Sequence, residues 1–278
     1  MKRLLATTAI LAVLTTPVMA EVTIGGDFEW NYQNNDGTTT TDVDADLNFK
    51  PSMTLDDGTS VSADINIDED GDDDGGSSIT IARSIWSIDM GDTSSATDAI
   101  DDKTDWGKVL TNGSPSTDHA ALLTIKPIDG LKIMTSFAAD SNYGTTAGSG
   151  YAYSAAYTMG PITVGAGKLE NDAGSSETVS NISGGVGDIA LAYEKHTATT
   201  AASVDTDTTT MSATYTMGNT KLLVEAMEAE SVNVVSSDEM TYGIHHTVAP
   251  GLVAFFESTD DSKTASEATS AVGITMKF

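Results

Sequence analysis

The chain has 278 residues, no Cys, a formal net charge of −28 and a pI near 4.1. The absence of Cys argues against a disulfide-stapled extracellular scaffold, and the acidity argues against nucleic acid as a partner and suggests cations. No apolar run approaches the ~20 residues of a membrane-spanning helix, but a transmembrane β-barrel needs none, because its signal is alternation in segments of about ten residues.

Residues 1–20 read as a cleaved secretory signal peptide. Lys2 and Arg3 form a basic start, Leu4 to Leu14 an apolar stretch too short to span a bilayer, and Val18-Met19-Ala20 a small-residue cleavage site. The folded part is then 21–278.

The first expected strand is Glu21–Tyr32, with Val22, Ile24, Phe28 and Trp30 on one face and Thr23, Asp27 and Glu29 on the other. A polar loop with the turn signal Asn35-Asp36-Gly37 follows. The second strand alternates most cleanly: Val43, Ala45, Leu47 and Phe49 against Asp44, Asp46, Asn48 and Lys50. A slip of one residue would turn Lys50 and two Asp into lipid, at about 2–4 kcal/mol for Lys near the midplane, so the register is fixed by that penalty. After the tight turn Leu55-Asp56-Asp57-Gly58 comes a strand with Val61, Ala63, Ile65 and Ile67 outward and Ser62, Asp64 and Asn66 inward. An acidic loop, 68–76, leads to a hairpin of Ser77–Arg83 and Ile85–Gly91 around Ser84.

The stretch from Met90 to Asp118 breaks this rhythm. It does not alternate, and a loop of roughly 25 residues inside a regular β pattern is functional or disordered. Asp92, Asp98, Asp101, Asp102 and Asp105 fall close together in it. Folded into a water-filled lumen, they would concentrate cations and repel anions; the competing reading is a solvated surface loop. Trp106 is either an anchor on the inner wall or an interfacial aromatic.

The rhythm then resumes as strand, tight turn, strand, longer loop. His119–Lys126 and Leu131–Asp140 join at Pro127–Gly130, Gly150–Met159 and Ile162–Glu170 at Gly160-Pro161, and Val179–Val186 and Ile189–His196 at Gly187-Asp188. Thr208–Met217 and Thr220–Ala229 join at Gly218-Asn219, and Glu239–Val248 and Leu252–Thr259 at Ala249–Gly251. Ala268–Phe278 closes a series of sixteen. Tight turns on one side and longer loops on the other are the asymmetry of an outer-membrane barrel. Ala155-Ala156-Tyr157-Thr158-Met159-Gly160 recurs as Ala213-Thr214-Tyr215-Thr216-Met217-Gly218, each copy placing a Tyr near a tight turn, where an interfacial ring belongs. The plainer explanation is that few residues suit such ends.

Four features make the chain similar to the Gram-negative trimeric porins, most closely the alphaproteobacterial type. They are the signal peptide followed by Glu21-Val22-Thr23-Ile24-Gly25-Gly26-Asp27, the strand end Ser87-Ile88-Asp89-Met90-Gly91-Asp92 leading into an acidic loop, the sixteen-strand rhythm, and the terminus Gly273-Ile274-Thr275-Met276-Lys277-Phe278. The resemblance implies an all-β, 16-stranded antiparallel transmembrane β-barrel with an inward-folded third external loop, about 92–118. It implies a homotrimer in the outer membrane of a Gram-negative bacterium, in contact with lipid and lipopolysaccharide and assembled by the barrel assembly machinery through Phe278. It implies passive diffusion of small hydrophilic solutes. The chain departs from the family in its short length and short external loops. The positive wall cluster that usually faces the acidic loop is not obvious.

The expected wall charges are Asp27, Glu29, Asp44, Asp46, Lys50, Asp64, Lys126, Lys132 and Lys221. Lys50, Arg83, Lys126, Lys132, Lys221 and Lys277 lie near tight turns or the C-terminus, whereas most acids lie in or near the external loops. A pore negative outside and more balanced inside would prefer cations, and more so at low salt. Asp70-Gly71-Asp72-Asp73-Asp74-Gly75 matches half a calcium loop, but position twelve is Ile81 and no helices flank it. Asp70, Asp72 and Asp74 are therefore candidates for loose structural calcium, not for an EF-hand; no cofactor is required. His245 and His246 are adjacent and would face opposite ways. There is no Gly-x-Ser-x-Gly elbow, phosphate-binding glycine loop or His-Glu-x-x-His, so an enzyme is not expected. The alternative from another class is a secreted soluble β-sandwich acting as an adhesin or surface-layer protein.

Overall fold

Period-two alternation becomes sixteen strands in the computed structural model, which describes residues 21–35, 37–67, 77–100, 118–138, 150–172, 174–231, 234–261 and 268–278. They are β1 (Glu21–Asn35), β2 (Thr38–Thr54), β3 (Ser60–Ile67), β4 (Ser77–Arg83), β5 (Trp86–Ser94), β6 (Asp118–Ile128), β7 (Leu131–Ala138) and β8 (Gly150–Met159). The second half comprises β9 (Ile162–Asn171), β10 (Ser176–Val186), β11 (Ile189–Thr199), β12 (Asp205–Met217), β13 (Thr220–Ser231), β14 (Val234–Ala249), β15 (Leu252–Asp261) and β16 (Thr269–Lys277). Each strand pairs antiparallel with its neighbours in sequence, and β1 pairs with β16, so the sheet closes into a barrel with no free edge.

Several strands run further toward the longer loops than alternation indicates. The second extends over Thr38–Thr54 rather than Val43–Lys50, and β12 begins at Asp205 rather than Thr208. In both, the added residues at the loop end are Thr and Asp, which keep the ladder but lose the apolar row, so hydrogen bonding continues where the pattern fades. The break after Met90 also begins later than Asp92. Gly91 and Asp92 form a bulge between the pairs Met90–Ala121 and Thr93–His119, and β5 ends at Ser94. Gly91 has φ +112° and a Cβ there would collide with the Ser77 carbonyl oxygen, so only glycine fits the bulge.

The apolar rows point outward. Val22, Ile24, Trp30, Val43, Leu47, Ile79, Val164, Ile182, Leu191, Met211, Ile244, Phe256, Val272 and Ile274 are all exposed, and on each strand they share parity. The opposite rows carry buried or half-buried polar residues such as Asn31, Ser136, Ser154, Thr210 and Thr241. This inside-out amphiphilicity is that of a barrel in lipid and the reverse of a sandwich core. Register keeps the two kinds apart: Ile24 pairs with Phe49 and Trp30 with Val43, while Asp27 pairs with Asp46 and Glu29 with Asp44. Tyr157 and Tyr215, the two tyrosines of the repeat, both face outward two residues before their strands end at a turn. At the seam, Gly26 and Phe278 exchange backbone hydrogen bonds of 3.1 and 3.0 Å, and the Phe278 ring fills the space a Gly26 side chain would need.

Candidate functional site

The inner wall is the candidate site, and its charge is uneven. On β1 and β2 the direct partners Asp27–Asp46 and Glu29–Asp44 set four acids side by side on the inward face. Like charges directly opposite are destabilising in a sheet, so the fold keeps this ladder against a local cost. Lys50 Nζ lies 2.7 Å from Asp64 Oδ2 on β3 and neutralises one acid next to the ladder. At the tight turn between β2 and β3, the Thr59 N–H donates to Asp57 Oδ1 at 3.0 Å. Arg83 donates through Nε to the Thr59 hydroxyl at 2.8 Å and also pairs with Asp57. The Thr59 backbone amide first, then its hydroxyl and the Arg83 guanidinium, hold the Asp57 carboxyl below the usual carboxylate range.

Residues 95–100, which follow β5, pack on inward-facing side chains of β6 to β10. Ser95 starts a helical turn by capping. Its hydroxyl accepts from the Asp98 N–H at 3.1 Å, while Asp98 Oδ2 accepts from the Ser95 N–H at 3.2 Å. This is a capping box, with Asp in the usual Glu position. The turn buries Ala96 and Ile100 against Leu122, Met134, Ala152, Leu169 and Val179. Here the inner wall mixes apolar side chains with buried hydroxyls and an amide, in contrast to the acids of β1 and β2. Fully burying an Ile contributes about 2–3 kcal/mol. Polar ties fix the turn: the Ala96 N–H donates to Ser136 Oγ at 2.7 Å, Ser154 donates to the Ala96 carbonyl, and the Asn181 amide donates to the Ile100 carbonyl. Beneath it Gly167 has no side chain; a Cβ would lie 2.8 Å from Ser154 Cβ and 3.1 Å from Thr97 Cγ2.

Beyond this floor the inward row carries buried ionisable groups. His245 on β14 places Nε2 2.8 Å from Glu257 Oε1 on β15, and its ring meets Phe255 edge-on with centroids 6.1 Å apart. His196 on β11 lies 3.4 Å from Glu177 on β10. Glu194 and Glu225, on β11 and β13, are also buried.

Of the residues singled out from the sequence, Asp27, Glu29, Asp44, Asp46, Lys50 and Asp64 occupy inward positions on neighbouring strands, as their parity requires. Lys132 and Lys221 are the second residues of β7 and β13, and Lys126 shares with Lys132 a hollow beside the Pro127–Gly130 turn. Asp92 lies in the bulge and Asp98 caps the turn. Asp101, Asp102, Asp105 and Trp106, and the calcium candidates Asp70, Asp72 and Asp74, lie outside the described residues. Among the described residues no three acidic or His side chains converge as a metal chelate. Sequence reasoning missed Glu194, Glu225 and Glu257. The signal was available: each sits between outward-facing residues of a strand whose apolar row fixes its parity.

Residues 6–266 match a family model described as Gram-negative porin. No curated protein matches the chain in sequence. Among solved structures it is similar to Salmonella typhi OmpF in complex with daunomycin, with TM-score 0.76 and 14% identity, covering 93% of this chain and 98% of that one. It is also similar to a variant of the Rh. blastica porin, with TM-score 0.72, 14% identity and coverage of 93% and 100%. A loop-deletion variant of OmpT, an outer membrane protein of Vibrio cholerae, gives TM-score 0.72 at 12% identity with coverage of 93% and 99%. At these identities the likeness is one of fold, and that fold is a closed barrel. With the family model spanning most of its length, the chain belongs to the Gram-negative porin family.

Proposed function

We propose that this porin forms a water-filled outer-membrane channel that passes small hydrophilic solutes and ions by passive diffusion and prefers cations. The observation that carries the preference is the inward ladder of Asp27, Glu29, Asp44 and Asp46 in direct cross-strand pairs. Four carboxylates on a low-dielectric wall raise the local cation concentration and repel anions. The Ser95–Ile100 turn on the opposite wall supports a narrowing of the lumen by the loop it opens. The apolar outer rows fit acyl chains, and membership of the porin family supports a homotrimer. Phe278, docked on Gly26 at the seam, fits a signal read by the assembly machinery. Calcium held by the acidic loop at Asp70, Asp72 and Asp74 belongs to the same reading.

Reversal potentials across a planar bilayer at low salt test the preference. The sign for cations is expected, with the preference shrinking as salt screens the wall. Anion preference would overturn it. Fractionation tests the location: a heat-modifiable trimer in the outer membrane is expected, and a protein confined to the soluble fraction would contradict it.

A further inference from the structure

Glu194 on β11, Glu225 on β13 and Glu257 on β15 face inward and are 5%, 3% and 0% exposed. They lie level with one another. The tight turns mark one rim of the barrel. Ile162 pairs with Gly184, yet β10 continues to Val186; Ile189 pairs with Tyr215, yet β12 continues to Met217; Thr220 pairs with His246, yet β14 continues to Ala249. Each turn is thus displaced along the chain from the partner row of the turn before it, which is the stagger that tilted strands impose. The acids step the same way. From Glu194 the partner row runs through Thr210 to Met227, and Glu225 is the next inward position toward the turn. From Glu225 it runs through Thr241 to Thr259, and Glu257 is the next inward position again. The row starts beside the docked turn, because Asn181, the direct partner of Glu194, holds the Ile100 carbonyl.

Ser212 on β12 supplies a second observation. It is the direct partner of Glu225 and diagonal to Glu194, both within reach of a Glu side chain. It is 6% exposed, and its hydroxyl oxygen has no hydrogen-bond partner. A buried hydroxyl left without a partner is costly and rare, so it marks a place where a further group belongs. The inward positions around it, Thr210, Thr214 and Thr241, are buried hydroxyls as well. Two carboxylates and several hydroxyls are an all-oxygen donor set, the chemistry that hard divalent cations select.

Building on the cation-preferring reading, we propose that Glu194, Ser212 and Glu225 form a wall station for a partly hydrated hard divalent cation of the calcium type. Two carboxylates and one hydroxyl fill only part of the about six to eight oxygen ligands such an ion takes, so it keeps part of its water and leaves readily. A conducting path needs binding of that kind, strong enough to admit an ion and weak enough to release it.

The test is block of potassium current by calcium chloride through the full-length porin in a planar bilayer. Calcium is expected to lower potassium conductance. Glu225→Gln is expected to raise the half-blocking concentration about tenfold, as fits the loss of one charged ligand among several. Asp56→Asn, with the same charge change in an exposed turn, leaves block unchanged. Ser212→Ala keeps both charges and nearly the same volume, so it carries the test if Glu225→Gln fails to assemble, and it weakens block in the same direction. A cation-selective channel whose potassium current ignores calcium overturns the station alone, as does equal block in wild type and Ser212→Ala. Anion preference in the wild type overturns the functional reading beneath it.

Discussion

The backbone amide of Ala96 donates to the hydroxyl of Ser136 across 2.7 Å, tying the chain that leaves β5 to the inner face of β7. Both residues are buried, so the bond has no solvent substitute. Replacing Ser136 by Ala leaves that N–H unsatisfied at a cost of about 1–3 kcal/mol. Amide exchange at Ala96 is expected to accelerate by about tenfold or more, through local opening of the turn, while the barrel ladder stays protected. Unchanged exchange at Ala96 would mean that Ser136 does not hold the turn.

Gly167 is the flat place on which Thr97 rests. Gly167→Val puts a branched side chain where even a Cβ would lie 2.8 Å from Ser154. Overpacking of this kind costs about 1–3 kcal/mol, and the chain most able to yield is the turn, not the ladder. The variant is expected to assemble as wild type but with altered single-channel conductance. Identical conductance would show that the turn lies away from the conducting path.

Much of the architecture was legible from parity. The runs Val43–Phe49 and Ile189–Tyr193 differ in length, but in both every second residue is apolar and marks an outward row. Gly160, Gly187 and Gly218 placed the tight turns because φ near +60° there needs glycine. Strand ends such as Asp205–Asp207 were not legible, because the ladder outlasts the apolar alternation. On the inner wall, alternation marks charged and polar residues. That found the β1–β2 acids but missed the apolar floor of Leu122, Met134 and Leu169, which makes sense only once a segment distant in sequence lands on it. Asp98, expected as a pore acid, also caps this turn, and Ser95-x-x-Asp98 was the local sign of that role.

Glu257 is fully buried, and its contact with His245 links β14 to β15. His245→Phe keeps a ring against Phe255 but removes this hydrogen-bond partner. Breaking a buried pair on one side costs about 3–5 kcal/mol. The unfolding midpoint in detergent is expected to fall for His245→Phe and to recover substantially for His245→Gln, which restores a donor. Equal midpoints for all three proteins would show that the pair adds nothing to stability.

Asp57 gives a pH dependence of known sign. Its folded carboxyl sits below its ordinary value, chiefly through the Thr59 amide, so the stabilisation is present above the unfolded pKa and is lost as pH falls through the folded one. The group is exposed, so the effect is small. Asp57→Asn is expected to flatten the stability curve slightly on the acid side and to leave it parallel to wild type at neutral pH. An equally steep acid limb in the variant would place the titration elsewhere.

In the proposed channel, carboxylates paired across β1 and β2 line the aqueous path and set its ion preference. The most direct measurement is the potassium-to-chloride permeability ratio of the channel in which Asp27, Asp44 and Asp46 are changed to Asn and Glu29 to Gln. Conductance steps are expected to persist while the cation preference of the wild type collapses toward parity. An unchanged ratio, or a wild type that forms no channel at all, would contradict it.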